Sequence, residues 1–212
     1  MTKKHEQREA SIERLLGSAL RLFVSRGYGS TNLEQIAGAA RLSKGAVYFY
    51  FGSKEAVLVE LLKRVQVIVV NDALKAAEHA GRSAPDRLVA FLHHQAKLGI
   101  THRDEVLLLV LMSLEFGGHQ GAASRFIGRI YGRLYDFVEK LVRAGQHAGE
   151  IRRDLQAREL ASIIMANHDG TFLEWHRRSH VLAGPALVRA LREVVLTGVT
   201  KKPTGKRGGR DG

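Results

Sequence analysis

The sequence predicts an all-α fold in which three short N-terminal helices, including a helix-turn-helix, precede a larger helical region. Apolar residues recur at helical spacing along the chain, and alternating Val/Ile/Thr segments typical of strands are few. Only three prolines interrupt the 212 residues. Apolar residues make up 45% of the chain and charged residues 25%, an ordinary composition for a globular protein of this length.

The first helix follows a basic arm over residues 1–10, which we expect to be flexible. Gly27 is placed as its C-terminal cap, and after a short linker Thr31 or Asn32 can cap a second helix. The apolar face of the first helix has i, i+3, i+4, i+7 spacing and consists of Ile12, Leu15, Leu16, Ala19, Leu20, Phe23 and Val24.

A tight turn at Arg41-Leu42 separates the second helix from a third, which Ser43 caps and which ends near Gly52. Ser53 caps a fourth helix that runs from Lys54 to about His79. Further helices are predicted over about 86–102, 104–117, 121–147, 157–179 and 185–197. Residues 201–212 cannot bury a core, so we expect a disordered basic tail.

The positive charge is concentrated at the two ends of the chain. Residues 1–54 carry nine Lys/Arg against four Asp/Glu, and residues 201–212 carry five against one. The residues between them carry nineteen against sixteen, so the middle is nearly balanced. Basic ends suit a polyanion, since each neutralised phosphate releases counterions, although they also serve solubility alone.

Several other kinds of site have no support in the sequence. The chain has no cysteine, which excludes disulfides and thiolate metal sites. His168 and His176 lack a third ligand at metal spacing, and no phosphate-binding or nucleophile motif is present, so we expect no metal, no cofactor and no enzyme. The charged segment 1–6 is unlike a signal peptide, and no apolar run approaches membrane-spanning length. We therefore expect a cytoplasmic protein with no membrane partner.

The third helix contains five consecutive apolar or aromatic residues, Val47 to Phe51. Successive helical residues lie about 100° apart, so these side chains cover the whole circumference and cannot all face the core. If Val47 and Phe51 point inward, Tyr48 and Tyr50 point outward and need a partner. A contact with another domain is one such partner, and the major groove of DNA is the other.

The neighbouring residues favour the DNA alternative. Gly45 and Ala46 lack bulk, so the backbone can approach base edges closely, while Lys44 and Lys54 can neutralise phosphates. Helix N-termini near Thr31 and Ser53 offer backbone N–H groups to phosphate oxygens.

Two segments, 27–37 and 42–55, resemble the signature of TetR-family regulators, and the likeness extends over about residues 12–62. The resemblance implies a bacterial homodimer, usually a repressor, that leaves DNA when a small molecule binds its C-terminal domain. It implies DNA contacts from Thr31, Asn32, Ser43, Lys44, Gly45, Ala46, Tyr48, Tyr50 and Lys54. The sequence departs from the family where Thr or Ser is common at positions 32 and 46, and His at position 50, so an operator sequence cannot be transferred.

Beyond the helix-turn-helix (about 32–51, within a DNA-binding domain over 11–58), the resemblance is loose. It implies an effector-binding and dimerisation domain over 59–200, with the helices at 157–179 and 185–197 pairing with their symmetry mates. Polar groups among apolar helices are candidates for contacts to an apolar or aromatic effector. These candidates are Glu115, Phe116, His119, Phe126, Tyr131, His168 and Phe172.

Two functional hypotheses remain at this point. The first is a transcriptional regulator, most simply a repressor released from a palindromic operator by a small-molecule effector, although an activator fits the same sequence. The alternative is a helical small-molecule-binding protein without sequence-specific DNA recognition, to which Ala46 gives slight support.

Overall fold

The computed structural model describes residues 3–200, which form an all-α protein. In this range the backbone has no strand, and a single antiparallel bridge joins Ile151 to Thr200. The helices are α1 Lys3–Arg26, α2 Leu33–Ala39, α3 Lys44–Phe51, α4 Lys54–Gln66, α5 Asp72–Glu78, α6 Ala84–Thr101, α7 Arg103–Glu115, α8 Ala122–Ala148, α9 Ala157–Arg178 and α10 Gly184–Val199. The predicted all-α fold is confirmed.

The predicted order of helices is also confirmed, with one difference in the long fourth helix. Between α4 and α5 the backbone widens into a π-helical segment over Val67–Asn71, so the predicted helix over 54–79 is continuous but irregular. The widened turn contains a run of β-branched side chains, which crowd the preceding turn of a regular helix. The Asn71 side chain accepts a hydrogen bond from Arg133 at 2.9 Å.

The N-terminal arm differs from its prediction. Helix α1 begins at Lys3, so the described part of segment 1–10 is helical rather than flexible, although its side chains are exposed. Its charged residues are good helix formers, and the His5–Glu9 pair at i, i+4 lies 3.0 Å apart on the helix surface. The predicted disordered tail over 201–212 lies outside the described residues.

Two compact units are distinguished by packing, while the division into a DNA-binding domain up to residue 58 and an effector-binding domain from residue 59 stays a prediction. The first unit contains the described residues up to Leu74 together with Lys97–Leu134. The second contains Lys75–Ala96 together with the described residues from Tyr135 to Thr200. The first unit thus includes α7 and the first half of α8 as well as the helix-turn-helix.

The first unit is organised around α1, which packs against α2, α4 and α7. Its apolar face is the predicted one, and Leu15, Ala19 and Phe23 are fully buried. Burial of such side chains contributes about 1.5–3 kcal/mol each for the larger ones, which is the main source of stability for the short helices that pack on them.

The second unit is built on the packing of α9 against α10 and on close contacts at the end of α8. An alanine at Gly145 would place its Cβ 2.6 Å from the Ile151 side chain, so only glycine fits there. The carboxylate of Glu150 accepts a hydrogen bond from the Ala84 N–H at 2.8 Å, which satisfies an otherwise open donor at the N-terminus of α6. No helix of the described range has the length and apolar character that crossing a membrane requires.

The turn of the helix-turn-helix contains a strained residue. Arg41 has φ +55°, and it is the one non-glycine residue with positive φ among residues 3–200. A side chain in this left-handed region costs about 1–2 kcal/mol, because its Cβ approaches a carbonyl oxygen.

Arg41→Gly is expected to raise the free energy of unfolding by roughly 0.5–1 kcal/mol, because it relieves the strain at the positive φ. The increase is smaller than the full strain energy, because glycine raises the conformational entropy of the unfolded chain. Urea denaturation followed by circular dichroism measures the change. Arg41→Ala is the matched control, because it removes the guanidinium but keeps the Cβ. Equal stability of the two variants would contradict the strain at this position.

Candidate nucleic-acid interface

Helix α2 begins at a complete capping box. The Asn32 side chain accepts the Gln35 N–H, and the Gln35 side chain accepts the Asn32 N–H, both at 2.9 Å. Asn32 is therefore the N-cap, which resolves the alternative between Thr31 and Asn32. The hydroxyl of Thr31, buried to within 1% exposure, instead donates to the Gly27 carbonyl at 2.8 Å. The Thr31 hydroxyl thus has a structural partner beside the end of α1, and a DNA contact from Thr31 stays a prediction.

Lys54, at the start of α4, closes the loop between α1 and α2. Its ammonium donates to the carbonyls of Tyr28 and Thr31, each at 2.9 Å, and lies 4.1 Å from the centre of the Tyr28 ring. A lysine ammonium has three donors, so these two bonds leave one for a phosphate. Burial first, and the carboxylates of Glu55 and Glu115 second, raise the pKa of the Tyr28 phenol, which stays neutral.

Serine residues cap the N-termini of both α3 and the following helix α4. Ser43 accepts the Ala46 N–H at 3.2 Å, and α3 ends at Gly52, whose φ of +75° suits glycine. Ser53 then caps α4 by accepting the Ala56 N–H at 3.1 Å. The predicted boundaries of the third helix are confirmed, and Gly45 and Ala46 lie in its first turn.

The side chains of α3 divide into an inward and an outward set. Val47 is fully buried, while Tyr48 is 48% exposed and Phe49 80% exposed. Tyr50 and Phe51 are half-buried, with the Tyr50 ring 5.2 Å from that of Phe49. The expected exposure of Tyr48 is confirmed, whereas Tyr50 is less open than expected.

Sequence reasoning missed Phe49, the most exposed aromatic side chain of the helix. At about 100° per residue, position 49 lies about 180° from the midpoint of Val47 and Phe51. The helical angles were therefore sufficient to identify it. Tyr48 and Phe49 together form an outward aromatic surface on a helix short enough to enter the major groove.

The charged residues around this surface are partly paired. The ammonium of Lys44 forms an ion pair with the carboxylate of Glu34 on α2 and lies 5.8 Å from the centre of the Tyr48 ring. Both partners are about half exposed, so ions and phosphates can reach them. The exposed Arg41 adds a further cation at the turn.

Two carboxylates connect the helix-turn-helix to α7 and α8 within the first unit. Glu115 at the end of α7 accepts the Gly29 N–H at 3.0 Å, beside a Tyr28–Phe116 ring contact of 5.1 Å. Glu55 on α4 accepts the Ala123 N–H at 3.0 Å, in the first turn of α8. Glu55 thus serves as an N-terminal cap supplied from another helix.

The predicted effector-contacting residues are divided between the two units. Glu115, Phe116, His119, Phe126 and Tyr131 belong to the first unit, and His168 and Phe172 belong to the second. Glu115 and Phe116 contact the α1–α2 loop, while Phe126 is buried under Arg129. In α9, His168 lies 2.9 Å from Asp169 and Phe172 stacks on His176. The effector contacts stay a prediction.

No group of three or more metal-ligating side chains is assembled within residues 3–200. The described surface of α2 and α3 combines aromatic rings, the exposed cations Arg41 and Lys44 and the N–H groups of capped helices, a combination that suits binding to DNA.

Comparison with known proteins agrees with this geometry. The model of a family described as bacterial regulatory proteins, tetR family, matches residues 15–61. The MbdR regulator from Azoarcus sp. CIB is 43% identical, with 89% of this chain and 98% of that one covered and a TM-score of 0.81. The transcriptional repressor DhaR of Mycobacterium sp. strain GP1 is 26% identical over 165 residues, which are 76% of this chain and 80% of DhaR. A transcriptional regulator from Saccharomonospora viridis, solved in complex with choline, is 25% identical, covers 90% and 98% of the two chains, and has a TM-score of 0.76.

The fold and the interface define a DNA-binding transcriptional regulator with a helix-turn-helix. The chain belongs to the TetR family of bacterial regulatory proteins. The alternative of a small-molecule-binding protein without DNA recognition is not favoured.

Phe49→Ala and Tyr48→Ala are expected to weaken operator binding by roughly tenfold or more each while leaving the fold intact, because both side chains are exposed and truncation of an aromatic anchor at an interface costs more than about 1 kcal/mol. Fluorescence anisotropy with an operator duplex, alongside thermal unfolding, measures both quantities. Val47→Ala is the contrasting control, since loss of a buried side chain lowers stability. Unchanged operator affinity in both aromatic variants would remove α3 as the reading helix.

Glu55→Ala is expected to lower the free energy of unfolding by about 1 kcal/mol, since the Ala123 N–H loses its acceptor at the start of α8. Glu60→Ala on the same helix removes the same charge from an exposed pair with Lys63. Urea denaturation of the two variants compares them, and an equal effect would show that charge alone, not the cap, is responsible.

Proposed function

We propose that the protein is a transcriptional repressor that binds a palindromic operator as a homodimer and is released by a small-molecule effector. The observation that carries the proposal is the exposed aromatic surface of Tyr48 and Phe49 on α3. This surface lies between the serine-capped N-termini of α3 and α4. Aromatic and apolar side chains read thymine methyl groups, and helix N-termini bind phosphates, so the same few residues supply both base and backbone contacts.

The remaining predicted contacts support this placement. Ser43 and Lys44 begin α3, and Gly45 and Ala46 leave its first turn without bulk. The first turn of a recognition helix is the part that approaches base edges. The capping box of α2 already uses the N–H groups of Asn32 and Gln35, so the side-chain NH2 of Asn32 and the remaining N–H groups of the first turn are what α2 can offer a phosphate.

Exposed apolar and small residues on α9 and α10 support the homodimer. Ile163 on α9 is 61% exposed and Val194 on α10 is 64% exposed. Small exposed residues lie on the same helix faces at i+3 or i+4 spacing, namely Ala166 and Gly170 on α9 and Ala190 and Gly198 on α10. Such faces allow close helix–helix contact with a second copy. The dimer would place two α3 helices about 34 Å apart, one turn of DNA.

The two carboxylate contacts support an effector response. Glu115 and Glu55 hydrogen-bond backbone N–H groups at the α1–α2 loop and at the start of α8. A shift of α7 or α8 on effector binding would therefore strain or break a bond that positions the DNA-binding helices. An effector that favours the shifted arrangement lowers operator affinity by its differential binding free energy. The choline complex of the S. viridis regulator shows that a related chain of this fold holds a small molecule.

Selection from random duplex DNA by the purified protein, followed by footprinting at two salt concentrations, tests the operator. The expected result is a palindromic consensus whose two half-sites lie one helical turn apart and whose affinity falls as salt rises. A reporter gene with this consensus at its promoter then tests the direction of regulation: expression should fall when the protein is present. If no consensus is recovered, the proposed binding to a specific operator is wrong. If expression of the reporter rises, the protein is an activator and not a repressor.

A further inference from the structure

One acidic residue stands out on the DNA-binding surface. Between Gly27 and Lys54 the sequence contains a single carboxylate, Glu34, among the cations Arg41, Lys44 and Lys54. Glu34 lies in the first turn of α2, beside the N-terminus of α3. A carboxylate so close to the proposed path of DNA phosphates raises the free energy of any complex in which it stays unneutralised.

The geometry gives this carboxylate a specific partner. Glu34 pairs with the ammonium of Lys44, the first residue of α3, which also faces the Tyr48 ring at 5.8 Å. The hydrogen bond to Lys44 lowers the pKa of the Glu34 carboxyl, and the same bond raises the pKa of the Lys44 ammonium. Both groups are therefore charged at neutral pH, and the Lys44 ammonium contacts the carboxylate while it also lies 5.8 Å from the centre of the Tyr48 ring.

The fold does not need this pair. Exposed ion pairs contribute little to stability, and α2 is already fixed by its capping box and by the burial of Ile36 and Leu33. The pair should instead affect the affinity for DNA, because a DNA phosphate competes with Glu34 for the ammonium of Lys44.

Operator and unrelated DNA differ in this competition. Lys44 has three donors, so it can stay paired with Glu34 and also donate to a guanine N7 or O6 at the correct position in the groove. On DNA without that acceptor, Lys44 can gain a phosphate only by leaving Glu34 unpaired near the backbone. Sequence-independent binding is thereby weakened more than operator binding.

We propose that Glu34 is a positioning and specificity-determining residue, which holds Lys44 against Tyr48 and lowers the affinity of the protein for DNA of unrelated sequence. This inference rests on the proposed placement of α3 in the major groove.

Anisotropy titrations of the full chain with its selected operator and with a scrambled duplex, over a series of salt concentrations, test the proposal. Glu34→Gln is expected to tighten binding to the scrambled duplex by roughly three- to tenfold and to steepen its salt dependence by about one ion per chain. Operator affinity should change less, so the ratio of the two affinities falls. Glu139→Gln removes the same charge from a pair with Arg143 on α8 and should change neither affinity.

Three results would overturn the proposal. One is unchanged affinity and salt dependence on the scrambled duplex in Glu34→Gln; another is loss of operator affinity alone, which would make Glu34 a direct base contact. The third comes from a double-mutant cycle: the effect of Glu34→Gln should shrink by at least half in a Lys44→Gln background, and an undiminished effect would show that Glu34 does not act through Lys44. If Lys44→Gln and Phe49→Ala both leave operator binding intact, the proposed placement of α3 in the major groove is wrong, which is a failure of the proposed function and not of the role of Glu34.

Discussion

The geometry of the DNA-binding region depends on the hydrogen bonds that the Lys54 ammonium donates. It joins the start of α4 to two carbonyls of the α1–α2 loop, 23 and 26 residues earlier in the chain, and covers the Tyr28 ring. Helices of seven and eight residues, such as α2 and α3, are not stable alone, so their positions must be imposed by neighbours. Lys54 holds the start of α4 against the α1–α2 loop through polar contacts. The buried side chains of Phe23, Ile36 and Val47 hold the same helices together through apolar packing.

The role of Lys54 shows where sequence reasoning was limited. The helices and their caps were predictable, because periodicity and the serines before α3 and α4 are local signals. Lys54 was predicted only as a phosphate contact, since its partners lie in a loop whose path depends on three helices. The same limit explains Thr31: capping preference allowed it a place at the N-cap, but the packing against α1 turned its hydroxyl inward.

The side chains of α3 were predictable from the sequence, whereas the ion pair beside them was not. Phe49 could have been found from the sequence, since helical angles place it opposite Val47 and Phe51. The Glu34–Lys44 pair could not, because it joins two helices whose crossing is set by the turn at Arg41. That turn adopts a left-handed conformation without glycine, an arrangement that no local preference would indicate.

The contacts from Glu55 and Glu115 lay furthest from prediction, since they join groups 68 and 86 residues apart along the chain. Their strength matters for regulation. Each of these hydrogen bonds from a backbone N–H to a carboxylate contributes on the order of 1 kcal/mol, which lies within the range of typical coupling free energies between two binding sites. The hydrogen bond from Gly29 to Glu115 lies beside the Tyr28–Phe116 ring contact, and a small ligand-induced shift of the end of α7 would alter this bond before the larger packing of α1 against α7. The polar attachment of the α1–α2 loop to α7 is therefore suited to a protein whose DNA-binding helices must be both held in place and released.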